Sequence, residues 1–168
     1  IKKAIKKNKL KFPIVVKPND EGSSIGVNIC RDLNSLYVSF NKLRKKYANL
    51  IFENYIPGKE IQVANLGNRA IGAIELRPKR KFYDYKAKYK KSSRTEHIMP
   101  AEISKLKYSE VLRISQKAYK ILKCRGIARC DFRFYKNKFF LLEVNTQPGM
   151  TSLSLVPEIA EYKNISFS

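Results

Sequence analysis

Residues 127–145 admit few folds. Ile127 to Tyr135 and Lys138 to Val144 are rich in aromatic and β-branched side chains, and only Lys136-Asn137 separates them, so the stretch reads as an antiparallel hairpin. Successive side chains on a strand point to opposite faces. Ala128, Cys130, Phe132 and Phe134 therefore share one face, and Arg129, Asp131 and Arg133 the other. On the second strand Phe140, Leu142 and Val144 are expected on one face, with Leu141, Glu143 and Asn145 opposite. If the apolar faces both meet a core, Asp131, Glu143 and Asn145 come together with Arg129 beside them. Two carboxylates and a carboxamide are hard oxygen donors, which suit magnesium and the phosphates it carries. An adjacent arginine can offset developing negative charge. The plain alternative is a surface hairpin with ordinary ion pairs.

The chain has 168 residues, enough for one domain or two small lobes that bury about 70% of the extended surface. Hydrophobic residues are 43% and charged residues 29%, an ordinary globular balance apart from its sign. The net charge is +21. It clusters at Lys2, Lys3, Lys6, Lys7, Lys9 and Lys11, at Arg44 to Lys46, and from Lys79 to Lys91. Such charge can track nucleic acid, attract an anionic nucleotide, or reflect a lysine-rich proteome. The chain carries no zinc finger, no RNP-like aromatic motif and no arginine-rich arm, which weighs against nucleic acid. No run of about 18 apolar residues can span a membrane, and no signal-peptide pattern is present. Cys30, Cys124 and Cys130 form no CxxC pair, so reduced thiols in a cytoplasmic protein are expected rather than disulfides or zinc. The first residue is Ile1 rather than Met, and the chain reads as a piece of a longer protein.

Residues 1–12 form a basic lead-in, the end of a helix. Phe12 to Lys17 is a short buried strand, followed by the polar, glycine-bearing loop Asn19 to Gly26. Asp32 is placed to cap a helix whose apolar stripe runs Leu33, Leu36, Tyr37, Phe40, Leu43 and Tyr47. Leu50 to Ile56 reads as a strand broken by Pro57-Gly58. Ile61 to Leu66 and Ala70 to Leu76 read as a hairpin around Gly67-Asn68. Pro78 to Pro100 is long, basic and tyrosine-rich, and reads as a functional or disordered loop in which His97 is solvated. Val111, Ile114, Ala118, Ile121 and Leu122 mark a second amphipathic helix, stopped near Gly126. After the hairpin, Thr146 to Pro157 reads as a loop.

Lys17 closes its strand just before the glycine–serine loop. Backbone amides and serines there can approach an anion, with lysine as a point charge, although no Walker A pattern is present. Read without context, this is equally a plain connection, and Glu53 and Glu60 are equally solvated glutamates.

Taken in order, the motifs are VVKP at 15–18, EGSSIGV at 21–27, FENYIPGKEI at 52–61, FYDYKAKY at 82–89, ARCDF at 128–132 and LLEVNTQPGMTSLSLVP at 141–157. This set resembles the D-alanine–D-alanine ligases of the ATP-grasp superfamily, from about Phe12 to Phe167. The resemblance implies an α+β ATP-grasp fold: antiparallel sheets with packed helices and a nucleotide site between two lobes. Residues 1–56 would be part of the central subdomain and 57–168 the C-terminal subdomain. By the same resemblance Lys17 binds the α- and β-phosphates. Glu21, Gly22, Ser23 and Ser24 form the lid over them, with Ser23 linked to Tyr89. Glu53 meets the adenine amino group, Tyr55 and Ile56 line the adenine slot, and Glu60 binds ribose. Lys88 and Tyr89 ride on a closing loop. Asp131, Glu143 and Asn145 hold two magnesium ions, with manganese as a substitute. Arg129 and the Gly149 amide cradle the oxyanion, and Ser154 and Leu155 receive the carboxylate of the second D-alanine.

The implied reaction joins two D-alanines for peptidoglycan precursor synthesis, using ATP through an acyl phosphate. Tyr89 favours an amine over a hydroxy acid as acceptor. The implied whole protein is a cytoplasmic homodimer that engages neither membrane nor nucleic acid. Four departures bear on this, one being that the family's usual closing helix would lie past Ser168. The family's N-terminal domain, which holds the first D-alanine, and a further ATP-contacting lysine are not in the chain, and Asn54 stands where lysine is frequent. The segment alone is therefore expected to bind nucleotide poorly and to catalyse little. The rival readings are another ATP-grasp carboxylate–amine ligase and a non-catalytic basic binding module.

Overall fold

The computed structural model describes residues 1–22, 24–78 and 95–166. Ser23, Lys88 and Tyr89 lie outside the described residues. The chain divides into two compact units, with 1–56 in the first and 57–78 and 95–166 in the second.

The first unit opens with helix α1 (Lys2–Lys7), followed by strands β1 (Ile14–Pro18) and β2 (Asn28–Cys30), helix α2 (Leu33–Leu43) and strand β3 (Leu50–Asn54). The three strands form an antiparallel sheet in the order β2-β1-β3. Ile14, Val16, Cys30, Leu36 and Leu43 form its buried core. Asp32 caps α2: its carboxylate accepts from the Ser35 N–H at 2.7 Å, while Ser35 Oγ accepts from the Asp32 N–H at 3.2 Å. Hydrogen bonds to that carboxylate from Ser35, the backbone N–H first and then the side chain, hold the Asp32 carboxyl below its ordinary pKa. The helix stops at Leu43, so Tyr47 packs on the core from outside it. Strand β3 ends at Asn54, two residues short of the expected Ile56. Asn54 Oδ1 accepts from the Lys11 N–H at 2.8 Å, so that side chain ties down the basic lead-in. Strand β2 escaped the sequence reading because three residues are too few to show alternation.

The second unit has a five-stranded antiparallel sheet in the order β6-β5-β4-β7-β8. Its strands are β4 (Lys59–Leu66), β5 (Arg69–Pro78), β6 (Thr95–Ile98), β7 (Ile127–Tyr135) and β8 (Lys138–Asn145). Helix α3 (Lys105–Ile121), with Ser104 accepting from Lys107 as its N-cap, covers one face over Ile61, Val63, Ala73, Cys130 and Phe132. Helix α4 (Leu155–Tyr162) lies on the other: a Cβ on Gly72 would come within 2.8 Å of Ile159.

Two expectations fail here. Thr95 to Ile98 is an edge strand rather than loop, and His97 sits on it with Nδ1 2.7 Å from Glu158 of α4. The expected loop to Pro157 ends at Ser154, because proline is tolerated in the first turn of a helix. No described helix is long and apolar enough to cross a membrane.

Candidate functional site

The polar face depends on a bulge. The turn at Lys136-Asn137 has positive φ at both residues, 46° and 62°, which a two-residue hairpin of type I′ demands. It pairs Tyr135 with Lys138, and pairing continues to Phe132 with Leu141. Continued without a break, that register would set Asp131 against Leu142 and turn Glu143 into the core beside Cys130. Instead Leu142 is bulged out, and the pairs beyond it are Asp131–Glu143, Cys130–Val144 and Arg129–Asn145. The bulge corrects one expectation: Phe139, not Phe140, joins Val144 at the core, with its ring 4.6 Å from that of Phe134. Phe140 pairs with Arg133 instead.

Asp131 is 6% exposed. Arg129 grips it in a bidentate manner, Nε to Oδ1 at 2.7 Å and Nη2 to Oδ2 at 3.0 Å. Both side chains are largely buried, so removing one leaves the other uncompensated at a cost of about 3–5 kcal/mol. Behind this face Cys130 is buried with its Sγ near the Ser115 carbonyl and Asn65. Burial pushes its thiol pKa up, against the hydrogen bond with Ser115 and with help from the Asp131 charge.

Among the described residues no group of three or more His, Cys, Asp or Glu is placed to hold a metal. The fit is with two carboxylates and a carboxamide. Asp131 and Glu143 are directly opposed, Asn145 is two residues on, and each Asp131 oxygen keeps lone-pair capacity beyond its arginine bond. Such a set suits a cation that draws its other oxygens from phosphate and water. Asn145 Oδ1 meanwhile accepts from the Gln147 N–H at 3.0 Å.

Gln62, missed in the sequence, lies on the same face together with Glu60. Glu60 pairs in register with Arg133, and Gln62 with Asp131. Arg133 reaches Glu60 at 3.1 Å, and Gln62 is 1% exposed. Alternation in KEIQV at 59–63 carried the signal, since Glu60 and Gln62 must share a face.

Gly149 and Ser154 are also brought together. A Cβ on Gly149 would lie 2.9 Å from Ser154 Oγ, which accepts from the Thr151 N–H at 3.0 Å. Ser154 is the N-cap of α4 and makes no side-chain capping bond, while Leu155 is buried.

In the first unit, Lys17 and Glu53 form an ion pair at 2.9 Å, diagonal across β1 and β3. Both are partly exposed, so the pair contributes about 0–1 kcal/mol and both groups remain available to a ligand. Tyr55 N–H bonds the Pro13 carbonyl at 3.0 Å, and Ile56 follows, half-buried. The loop is a tight turn: Ile25 N–H bonds the Gly22 carbonyl, and Ser24 and Gly26 have φ of 63° and 71°. Gly26 also abuts Pro18, 2.8 Å from a would-be Cβ. Glu21 sits beside the Tyr47 hydroxyl, whose pKa is raised chiefly by burial and further by that carboxylate.

These antiparallel sheets with their helices have the ATP-grasp fold, class α+β. Two solved structures of D-alanine–D-alanine ligase from Bacillus anthracis superpose well. The one complexed with ATP has a TM-score of 0.81 at 30% identity, covering 96% of this chain and 50% of that one. The other has a TM-score of 0.83 at 35% identity, covering 97% and 53%. The family model described as the D-Ala–D-Ala ligase C-terminus matches residues 2–168, and the chain belongs to that family. The D-alanine–D-alanine ligase of Pelagibacter ubique (strain HTCC1062) is 54% identical over 165 residues, 98% of this chain and 53% of that protein. That of Citrifermentans bemidjiense is 46% identical over 157 residues, 93% and 51%. The chain thus spans about half the length of these relatives.

Proposed function

We propose that the protein to which this chain belongs joins two D-alanines at the expense of ATP, for peptidoglycan precursor synthesis. The observation that carries the reading is the polar face of β7 and β8, where Asp131 opposes Glu143 beside Arg129, in a chain of this family. Residues 1–56 are assigned to the central subdomain and 57–168 to the C-terminal one.

Lys17 binds the α- and β-phosphates, with Glu21, Gly22, Ser23 and Ser24 as the lid above them, and Lys88 and Tyr89 also serve the nucleotide site. Glu53, Tyr55 and Ile56 take the adenine, and Glu60 takes the ribose. Asp131, Glu143 and Asn145 hold magnesium, which supplies charge neutralisation on the transferring phosphate when bound. The carboxylate of the first D-alanine attacks the γ-phosphate, releasing ADP and leaving an acyl phosphate. The amine of the second attacks that carbonyl, and phosphate departs. Arg129 and the Gly149 N–H stabilise the tetrahedral oxyanion, an interaction typically worth about 3–4 kcal/mol. Ser154 and Leu155 orient the second D-alanine at the start of α4, where backbone N–H groups favour its carboxylate. Tyr89, by its link to Ser23, helps to keep water from the acyl phosphate. We place the protein in the cytoplasm as a homodimer, with no membrane or nucleic-acid partner.

The full-length protein, given ATP, magnesium and D-alanine, is expected to release one ADP and one phosphate per D-alanyl-D-alanine formed, and to form no ester with D-lactate. Absence of D-alanine-dependent phosphate release removes the assignment. Release with a different acceptor only would place the chain in another ligase of the superfamily.

A further inference from the structure

Gln62 has no task in the scheme above. Its carbonyl oxygen Oε1 is buried without a hydrogen-bond partner among the described residues. Asn65 Oδ1 shares that condition, but on the other face, where its amide nitrogen serves Ser115 beneath α3. Buried amide oxygens are nearly always paired, and an apolar side chain of similar length would avoid the penalty. The other end of the amide explains the orphan. Gln62 Nε2 donates to Glu60 Oε1 at 3.3 Å. Reversing the amide would set Oε1 against a carboxylate, so Glu60 dictates the orientation. From the neighbouring strand Arg133 holds the other Glu60 oxygen, Oε2, at 3.1 Å. Strand alternation makes the arrangement rigid: Glu60 and Gln62 share a face, in register with Arg133 and Asp131.

We propose that Gln62 is a positioning residue for nucleotide selection. With Arg133 it locks the Glu60 carboxylate in an orientation that accepts hydrogen bonds from both hydroxyls of a ribose, favouring ribonucleoside over deoxyribonucleoside triphosphates. The proposal rests on Glu60 as the ribose ligand. A carboxylate accepts about four hydrogen bonds, so the amide and guanidinium do not saturate it. Without the amide, the Glu60 carboxylate turns toward Arg133 in a fork-to-fork pair, and one hydroxyl loses its acceptor.

The test uses the full-length protein carrying Gln62→Met, which keeps the volume and removes both polar atoms. The readout is kcat/KM for ATP relative to 2′-deoxy-ATP and 3′-deoxy-ATP. A hydrogen bond to a charged group is worth roughly a tenfold to hundredfold preference, which the wild type is expected to show for ATP. In Gln62→Met that preference falls about tenfold. KM for ATP rises while kcat stays within about threefold, and the thermal unfolding midpoint is unchanged or higher, because an unpaired acceptor has gone. A merely structural role predicts the reverse: lower stability with selectivity intact. A wild type that uses ATP and both analogues equally overturns the ribose role of Glu60, and this proposal with it. A wild type that discriminates, alongside a Gln62→Met protein that discriminates equally, overturns the role of Gln62 alone. If the methionine variant does not fold, Gln62→Asn, which draws the amide back from Glu60, is read by the same ratios.

Discussion

In the full-length protein, Asp131→Asn lowers turnover by at least about 100-fold while the fold survives. The activity estimate follows from charge: a ligand that helps place a metal on a transferring phosphate is worth several kcal/mol, and each 1.4 kcal/mol is about tenfold. Survival of the fold follows from shape. Removing a partner from a buried ion pair costs about 3–5 kcal/mol, but asparagine keeps an oxygen acceptor for Arg129 at the same place. The loss of stability is therefore smaller than that figure. Steady-state turnover and circular dichroism together check it. Near-normal turnover would remove Asp131 from the metal site, and an unfolded variant would show that the Arg129 pair is chiefly structural.

Gly58→Ala is expected to destabilise the protein by about 3–5 kcal/mol, although it touches no proposed ligand. Gly58 has φ of 101°, outside the range open to residues with a side chain, and a Cβ there would collide with the carbonyl oxygen of Phe134. The obstacle is backbone of the neighbouring strand, so no rotamer change relieves it. Gly58 also leads into β4, the strand that carries Glu60 and Gln62. The unfolding midpoint in denaturant is the check, and a midpoint within error of wild type would contradict the close approach of residue 58 to β7.

Most of the long elements were legible because their signals are local. The N-cap at Asp32, the stripe of α2 and the turn at Lys136-Asn137 each need only a few neighbouring residues. The bulge at Leu142 was not legible from the turn, whose register alone would bury Glu143. Only the demand that apolar faces meet a core put Glu143 opposite Asp131, and that demand still misassigned Phe139 and Phe140. Strand β6 is four residues long at a sheet edge, held by pairing with β5, and its TEHI sequence shows no apolar alternation. Helix α4 hid because Pro157 closed the stretch read as loop, although it stands in the helix's first turn. The pairing of Glu60 with Arg133 was beyond reach because it crosses between strands distant in sequence, whereas alternation in KEIQV already set Gln62 beside Glu60. Lys17 was legible as a point charge for an anion beside the glycine–serine loop, but the specific nucleotide roles of Lys17, Glu53 and Glu60 came from the resemblance.

The polar face of β7 and β8 is tested most directly by manganese binding to the full-length protein in the presence of ADP, followed by electron paramagnetic resonance. Asp131→Asn and Glu143→Gln are each expected to weaken that binding at least about tenfold. Glu110→Gln, on α3 and paired with Lys107, is expected to leave it unchanged. Equal manganese affinity in the wild type and in both hairpin variants would contradict the account.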